Sequence, residues 1–199
     1  MLYVLGKYIL AGPLLWLIFR PRVLNRERLR FKGGAIIISN HFCVMDPILV
    51  AAVCPRWIHF MAKKEAFKHK LADFFLRRML FAFPVDRDTV DITSMKHAMA
   101  VLKSGKVFGI FPEGSRSPTG TMDEFERGAA FLALKSGMPI IPVYSDPQVM
   151  RRCKITMAVG EPILPKQATE GRQGKPLEVL TQVMQDSMME LKRKVEDCR

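Results

Sequence analysis

Short β-branched runs alternate along this chain with longer segments of helical spacing, and turn residues separate them. Lys32-Gly33-Gly34 reads as a turn, and Ala35 to Ser39 (AIIIS) as a buried strand. Asn40 to Asp46 reads as a loop. Pro47 to Val53 is a short apolar helix with proline at its first position. Trp57 to Ala62 is strand-like, Lys63 to Lys70 is a basic stretch, Leu71 to Leu80 has helical spacing, and Ala82 to Val85 is extended. Helices are expected over Asp91 to Ser104 and Phe125 to Ser136, each closed by a glycine, Gly105 and Gly137. Strands are expected at Val107 to Phe111, Ile140 to Tyr144 and Lys154 to Val159. Pro112 to Gly120 holds two prolines and two glycines and is a loop.

Gln167 to Lys175 is polar and reads as a linker. Beyond it, Leu177, Leu180, Met184, Met188, Leu191 and Val195 recur at spacings of three and four, the apolar face of a helix packed on the domain. The expected class is α/β: a central mixed, partly parallel sheet flanked by helices, with an N-terminal membrane-associated helix and a C-terminal amphipathic helix. The expected organisation is an attachment segment over 1–30, the α/β domain over 31–164, and a linker with the last helix over 165–199.

Met1 to Phe19 carries a single charge, Lys7, and then meets Arg20, Arg22, Arg26, Arg28, Arg30 and Lys32. As a helix it would reach roughly 28 Å, close to the apolar thickness of a bilayer. Gly12 and Pro13 would kink it. The charge follows the apolar stretch and no small-residue cleavage site is evident, so a secretory signal is a poor match. The basic cluster suits anionic headgroups on the cytoplasmic side of the cell membrane, with the first segment either spanning the bilayer or lying in its interface.

The chain has 199 residues, 49% of them hydrophobic, and a net charge of +12. That balance excludes a disordered chain and favours anionic partners, without choosing among nucleic acid, anionic lipid, phosphorylated substrates and acidic carrier proteins. Cys43, Cys54, Cys153 and Cys198 form no CxxC pair, which argues against a zinc cage and for a reducing compartment.

Three segments bear chemistry. In the first, a strand delivers His41 to the sheet edge, and Asp46 follows after four residues. Preceding Pro47, Asp46 is biased away from helical conformation, so a compact loop can return its carboxylate to the imidazole. Such a pair is the base and orienter of a triad, able to activate a hydroxyl. In the second, Phe111 to Ser117, Gly114 lets backbone N–H groups approach an anion and Arg116 offers a planar fork for phosphate. Glu113 is suited to a polyol or to positioning Arg116. In the third, Phe83 to Asp88, Arg87 is another phosphate candidate. Each segment alone also fits a blander role: Asp46 as a helix cap, the Glu113 loop as a solvated turn, Arg87 in a surface pair. His59, His69 and His97 show no ligand spacing and read as packed or surface histidines.

Together these segments resemble the lysophosphatidic acid acyltransferase (1-acyl-glycerol-3-phosphate acyltransferase) family over about residues 31 to 164. The likeness rests on His41 and Asp46 between Asn40 and Pro47, on Arg87 in FPVDR, on Phe111 to Ser117, and on Ile140-Ile141-Pro142-Val143. Ala62-Lys63-Lys64-Glu65 is similar to another family stretch and makes Lys63 a candidate cation. Phe125 to Ala129 is similar to a further one, with its basic residue one place later, which weighs against Arg127.

The resemblance implies transfer of a fatty acyl group from acyl-CoA or acyl-acyl carrier protein to the sn-2 hydroxyl of 1-acyl-glycerol 3-phosphate, giving phosphatidic acid. It implies catalysis by His41 and Asp46, substrate binding by Lys63, Arg87, Glu113, Gly114 and Arg116, and no metal, cofactor or acyl-enzyme. Expected partners are the lysophospholipid, the acyl thioester and an anionic membrane surface, with acyl carrier protein as one possible donor and no nucleic acid. Alternatives are a related enzyme acting on glycerol 3-phosphate or another lysolipid, a thioesterase with Cys43 as nucleophile, and a non-catalytic basic lipid-binding protein.

Overall fold

The structure is a computed structural model that describes residues 21–85, 92–117, 121–146 and 155–198. The apolar N-terminal segment, Arg87 and Lys154 lie outside the described residues. Among the described residues seven strands form one sheet: β1 (Arg22–Leu24), β2 (Ala35–Ser39), β3 (Ile58–Lys63), β4 (Phe83–Val85), β5 (Val107–Ile110), β6 (Ile140–Ser145) and β7 (Thr156–Val159). Their order is β1-β7-β6-β2-β5-β3-β4. All neighbours run parallel except β6 and β7. Six α-helices accompany them among the described residues: α1 (Asp46–Val53), α2 (Lys70–Met79), α3 (Ile92–Lys103), α4 (Gly128–Ser136), α5 (Pro165–Thr169) and α6 (Pro176–Glu196).

The composition of β2 explains its place at the centre. Parallel strands covered on both faces lose the polar-apolar alternation of half-exposed strands, and all five residues of AIIIS are buried. Ile36 and Ile38 face a core shared with α3, α4 and α6, while Ala35 and Ile37 face a second core shared with α1. The molecule is therefore a three-layer α/β/α sandwich around a mostly parallel sheet. Helix α6 places Leu180, Met184, Met188, Leu191 and Val195 in the first core, and it packs against β6 and β7.

Most boundaries shift by a residue or two from the sequence expectation, and four differences have a physical reason. Helix α4 starts at Gly128, three residues after Phe125. The Glu126 N–H is spent on the Pro112 carbonyl at 2.7 Å, which holds this stretch as a loop, and Phe125 is buried there. Asp46 opens α1. Its pre-proline bias is tolerated because Pro47 occupies the first turn, where its missing N–H has no helical partner to lose. The polar stretch after Ile163 contains the short helix α5. Arg22–Leu24 pairs with β7, a three-residue strand too short to show alternation.

Among the described residues no helix is long and apolar enough to cross a membrane.

Leu180→Ala is expected to lower unfolding stability by about 2–5 kcal/mol, because Leu180 is fully buried against the sheet. Met189→Ala, on the outward side of the same helix, is expected to stay within about 0.5 kcal/mol. Urea unfolding of the two variants measures the difference.

Candidate functional site

Register brings the first two chemical segments together. Ile38 of β2 stands beside Ile110 of β5. Three residues beyond this pair, past the end of each strand, His41 and Glu113 meet. The backbone N–H of His41 donates to Glu113 Oε1 at 2.9 Å, and Ser117 N–H donates to the His41 carbonyl at 2.9 Å. On the other side, the Asn40 side chain donates to the Ser145 carbonyl at 2.9 Å and accepts from the Ser145 N–H at 2.8 Å. His41 is thus fastened to the ends of β5 and β6 by its own backbone and its neighbour's side chain.

The imidazole is held separately. His41 Nδ1 lies 3.1 Å from Asp46 Oδ2. The same oxygen accepts the N–H groups of Phe42 at 2.6 Å and Cys43 at 2.7 Å. Asp46 Oδ1 accepts the Cys43 thiol at 3.1 Å. The carboxylate therefore points back into the loop instead of capping the helix it opens. Ionised carboxylates only accept, so Nδ1 carries the proton and Nε2 keeps a lone pair. Phe111 stacks on the imidazole at 4.2 Å between centroids, and Phe60 stacks on Phe111 at 5.9 Å. Gly109 makes room for this stack: a Cβ there would stand 2.4 Å from Phe60 Cε1.

A cavity of about 380 Å³ opens beside His41, within the range typical of small-molecule sites. Lys63 and Arg116 line it with His41; Ile48, Phe60, Ala62, Leu76, Leu80 and Ala82 form its apolar wall. Arg116 is exposed. Lys63 is half exposed and lies 3.8 Å from Glu65.

Glu113 occupies a different place from one facing a polyol or Arg116. It is buried, with its second oxygen accepting the Asp123 N–H at 3.2 Å. Burial pushes its pKa up to about 7, against the pull of its two backbone donors. Gly114 adopts φ +72°, and its N–H closes a turn onto the Phe111 carbonyl at 3.1 Å. Any other residue there would be strained, so glycine shapes the loop that carries Glu113 and Arg116.

Burial first, and Asp46 next, push the Cys43 thiol up to about 11, so it is protonated at neutral pH and a poor nucleophile. His59 lines a second cavity with Arg56, Trp57, Phe81 and Lys106, at the N-terminal ends of β3 and β5. Burial, then Lys106 and His97, lower its pKa. His97 packs on Phe83, with ring centroids 4.1 Å apart. His69 immediately precedes α2. Arg127 faces Glu178 at 3.4 Å on the surface. Among the described residues no group of three or more His, Cys, Asp and Glu side chains could hold a metal ion.

Sequence reasoning overlooked the Phe111 stack, the Asn40–Ser145 pair and the backbone role of Glu113. Phe111 and Asn40 flank the chemical residues in sequence, which was the available signal. Ser145 sits 105 positions from Asn40, and nothing local marks it.

The chain matches the Acyltransferase family over residues 20–146. It is 31% identical over 181 residues to the 1-acyl-sn-glycerol-3-phosphate acyltransferase of Bacillus subtilis (strain 168), covering 88% of this chain and 89% of that one. Its likeness to the protein of the same name from Streptococcus pneumoniae is 33% over 135 residues, 64% of this chain and 49% of the relative. This chain thus spans about half of the streptococcal protein's length. The crystal structure of the 1-acyl-sn-glycerophosphate acyltransferase of Thermotoga maritima shares the fold. The TM-score is 0.72 at 22% identity, covering 99% of this chain and 87% of that one.

Stability should depend on pH through Glu113. The folded carboxyl keeps its proton up to about pH 7, whereas its ordinary value is 4.5. Between these values the folded state binds more protons, so this group's contribution falls as pH rises. The melting temperature of the unsubstituted chain relative to Glu113→Gln is therefore expected to drop between pH 5 and pH 8; a difference that rises over this range would contradict the buried carboxyl.

Proposed function

We propose, from the premise that this chain belongs to the Acyltransferase family, that it moves a fatty acyl group from a thioester to the sn-2 hydroxyl of 1-acyl-glycerol 3-phosphate, giving phosphatidic acid. One observation carries this reading: the hydrogen-bonded His41–Asp46 pair opens onto a cavity that is apolar on one side and bears Lys63 and Arg116. The family membership and the names of its bacterial relatives agree with it.

His41 Nε2 takes the proton of the acceptor hydroxyl as its oxygen attacks the thioester carbonyl. The imidazolium forms against Asp46, which holds the ring and offsets the charge. The tetrahedral intermediate collapses, the carbon–sulfur bond breaks, and the departing thiolate takes the proton back from His41. The products are an ester and a free thiol, with no acyl-enzyme and no cofactor beyond the acyl donor. The donor is acyl-CoA or acyl-acyl carrier protein. Arg116 and Lys63 hold the acceptor phosphate, aided by Arg87, and the apolar wall takes hydrocarbon. Glu113 and Gly114 serve the site by fixing the two loops. The apolar segment ahead of the Arg20–Lys32 cluster attaches the chain to the cytoplasmic face of the cell membrane.

His41→Ala is expected to lower kcat by about 10²–10⁴ while leaving the fold intact, the usual worth of a general base. Full-chain protein in lipid, given radiolabelled acyl-CoA and 1-acyl-glycerol 3-phosphate, reads this directly; activity retained in the variant removes His41 as the base. The same assay with glycerol 3-phosphate tests the neighbouring acceptor.

Arg116→Ala is expected to raise KM for the phosphate acceptor by about tenfold, with a smaller change in kcat, the worth of one charge-assisted contact. An unchanged KM would remove Arg116 from the phosphate site.

A further inference from the structure

We propose that helix α2 is a second membrane-contact element, which lays Leu71, Phe74 and Phe75, together with Val44, into the interface of an anionic bilayer and so sets the mouth of the His41 cavity against the lipid. The inference rests on the reading of the acceptor as a lipid and adds a docking surface to it.

Side chains of this size are ordinarily buried. Here Leu71 is 86% exposed, Val44 66%, Phe74 64% and Phe75 36%. Positions 71, 74, 75 and 78 fall at the spacing of one helix face. That face therefore carries Leu71, Phe74 and Phe75, and Arg78 completes it with a long stem able to reach back to water. Leu76 of the same helix lines the cavity wall, so α2 is apolar on its inner side and again on its outer side.

Charge selects the occupant. Between Lys63 and Arg78 the chain has six lysines and arginines against two acids, Glu65 and Asp73. Those acids face Lys63 at 3.8 Å and Arg77 at 2.6 Å. Lys64, Lys68, Lys70 and Arg78 are exposed and remain to meet external anions. A short helix with an apolar face and a rim of lysine and arginine is the composition of an interfacial helix. A protein partner of ordinary surface would leave most of this rim unmatched.

The surface is continuous with the site. Val44 and Phe75 belong to the exposed patch and also line the cavity with His41 and Lys63. A bilayer seated on Leu71 and Phe74 brings headgroup phosphates level with Lys63 and hydrocarbon level with the apolar wall. The acceptor then enters sideways from the membrane, without crossing water.

The full chain is tested on vesicles of phosphatidylcholine with and without phosphatidylglycerol. Phe74→Trp introduces an indole that is read against the unsubstituted chain. On anionic vesicles, lipids spin-labelled at a shallow acyl position are expected to quench the added emission and shift it to the blue. An added indole left unquenched while the chain sediments with vesicles would overturn the proposal. Burial of the face by a second protein, or by the chain's own N-terminal segment, gives that result.

In the activity arm, Leu71→Glu with Phe74→Glu is expected to lower kcat/KM about tenfold or more on acceptor held in anionic vesicles. It is expected to change turnover of a monomeric short-chain lysophosphatidate by less than about twofold, because neither side chain lines the cavity. An equal effect on both acceptors would overturn the docking role. An unsubstituted chain that turns over neither acceptor refutes the acyltransferase reading instead, and the quenching result still decides the docking.

Discussion

The Asp46 carboxylate organises the site. One oxygen gathers the N–H groups of Phe42 and Cys43 together with the His41 imidazole, and the other takes the Cys43 thiol. Hydrogen bonds to a charged acceptor contribute roughly 1.5–3 kcal/mol each. A six-residue turn, His41 to Asp46, that would otherwise hold many conformations is thereby closed around one group. The same bonds fix the ring's tautomer and leave Nε2 with its lone pair. Folding the loop and setting the imidazole are one event, so the loop cannot be loosened without freeing the ring.

The carboxylate works because the sheet has already brought the second loop alongside. Ile38 beside Ile110 sets β2 and β5 level, and Glu113 then receives the His41 N–H. Glu113 is buried and its pKa is raised to about 7. Burial of a carboxyl is costly unless hydrogen bonds satisfy it, and Glu113 has two backbone donors. Such a position makes the joint between the loops sensitive to pH in a range where most carboxyls are indifferent.

The cavity joins cations to an apolar wall, a combination suited to a phosphate-bearing amphiphile. Similar proteins from Bacillus subtilis and Streptococcus pneumoniae carry the name of an enzyme that handles one. Around the cavity mouth, the exposed apolar residues of α2 and the basic residues beside them continue the same two chemistries onto the surface. Site and surface thus share one pattern: apolar side chains on one side, cations on the other.

Local pattern alone determined most of the elements, though not β1 or α5, and the chemical residues. The β-branched run of β2, the three-and-four spacing of α6 and the glycine ends of α3 and α4 are physical consequences of neighbouring residues, so they are legible without a fold. The five-position step from His41 to Asp46 is equally local, and a loop of that length leaves few ways to join the two. The strand order, the meeting of His41 and Glu113 past the strand ends, the Asn40–Ser145 pair and the stacking of Phe111 on the imidazole were decided only by tertiary structure. Each depends on segments distant in sequence, where burial and register, not local preference, choose the partner. Glu113 shows the difference: its sequence neighbours suggest a ligand-facing acid, whereas the backbone of His41, 72 positions away, turns it into a brace.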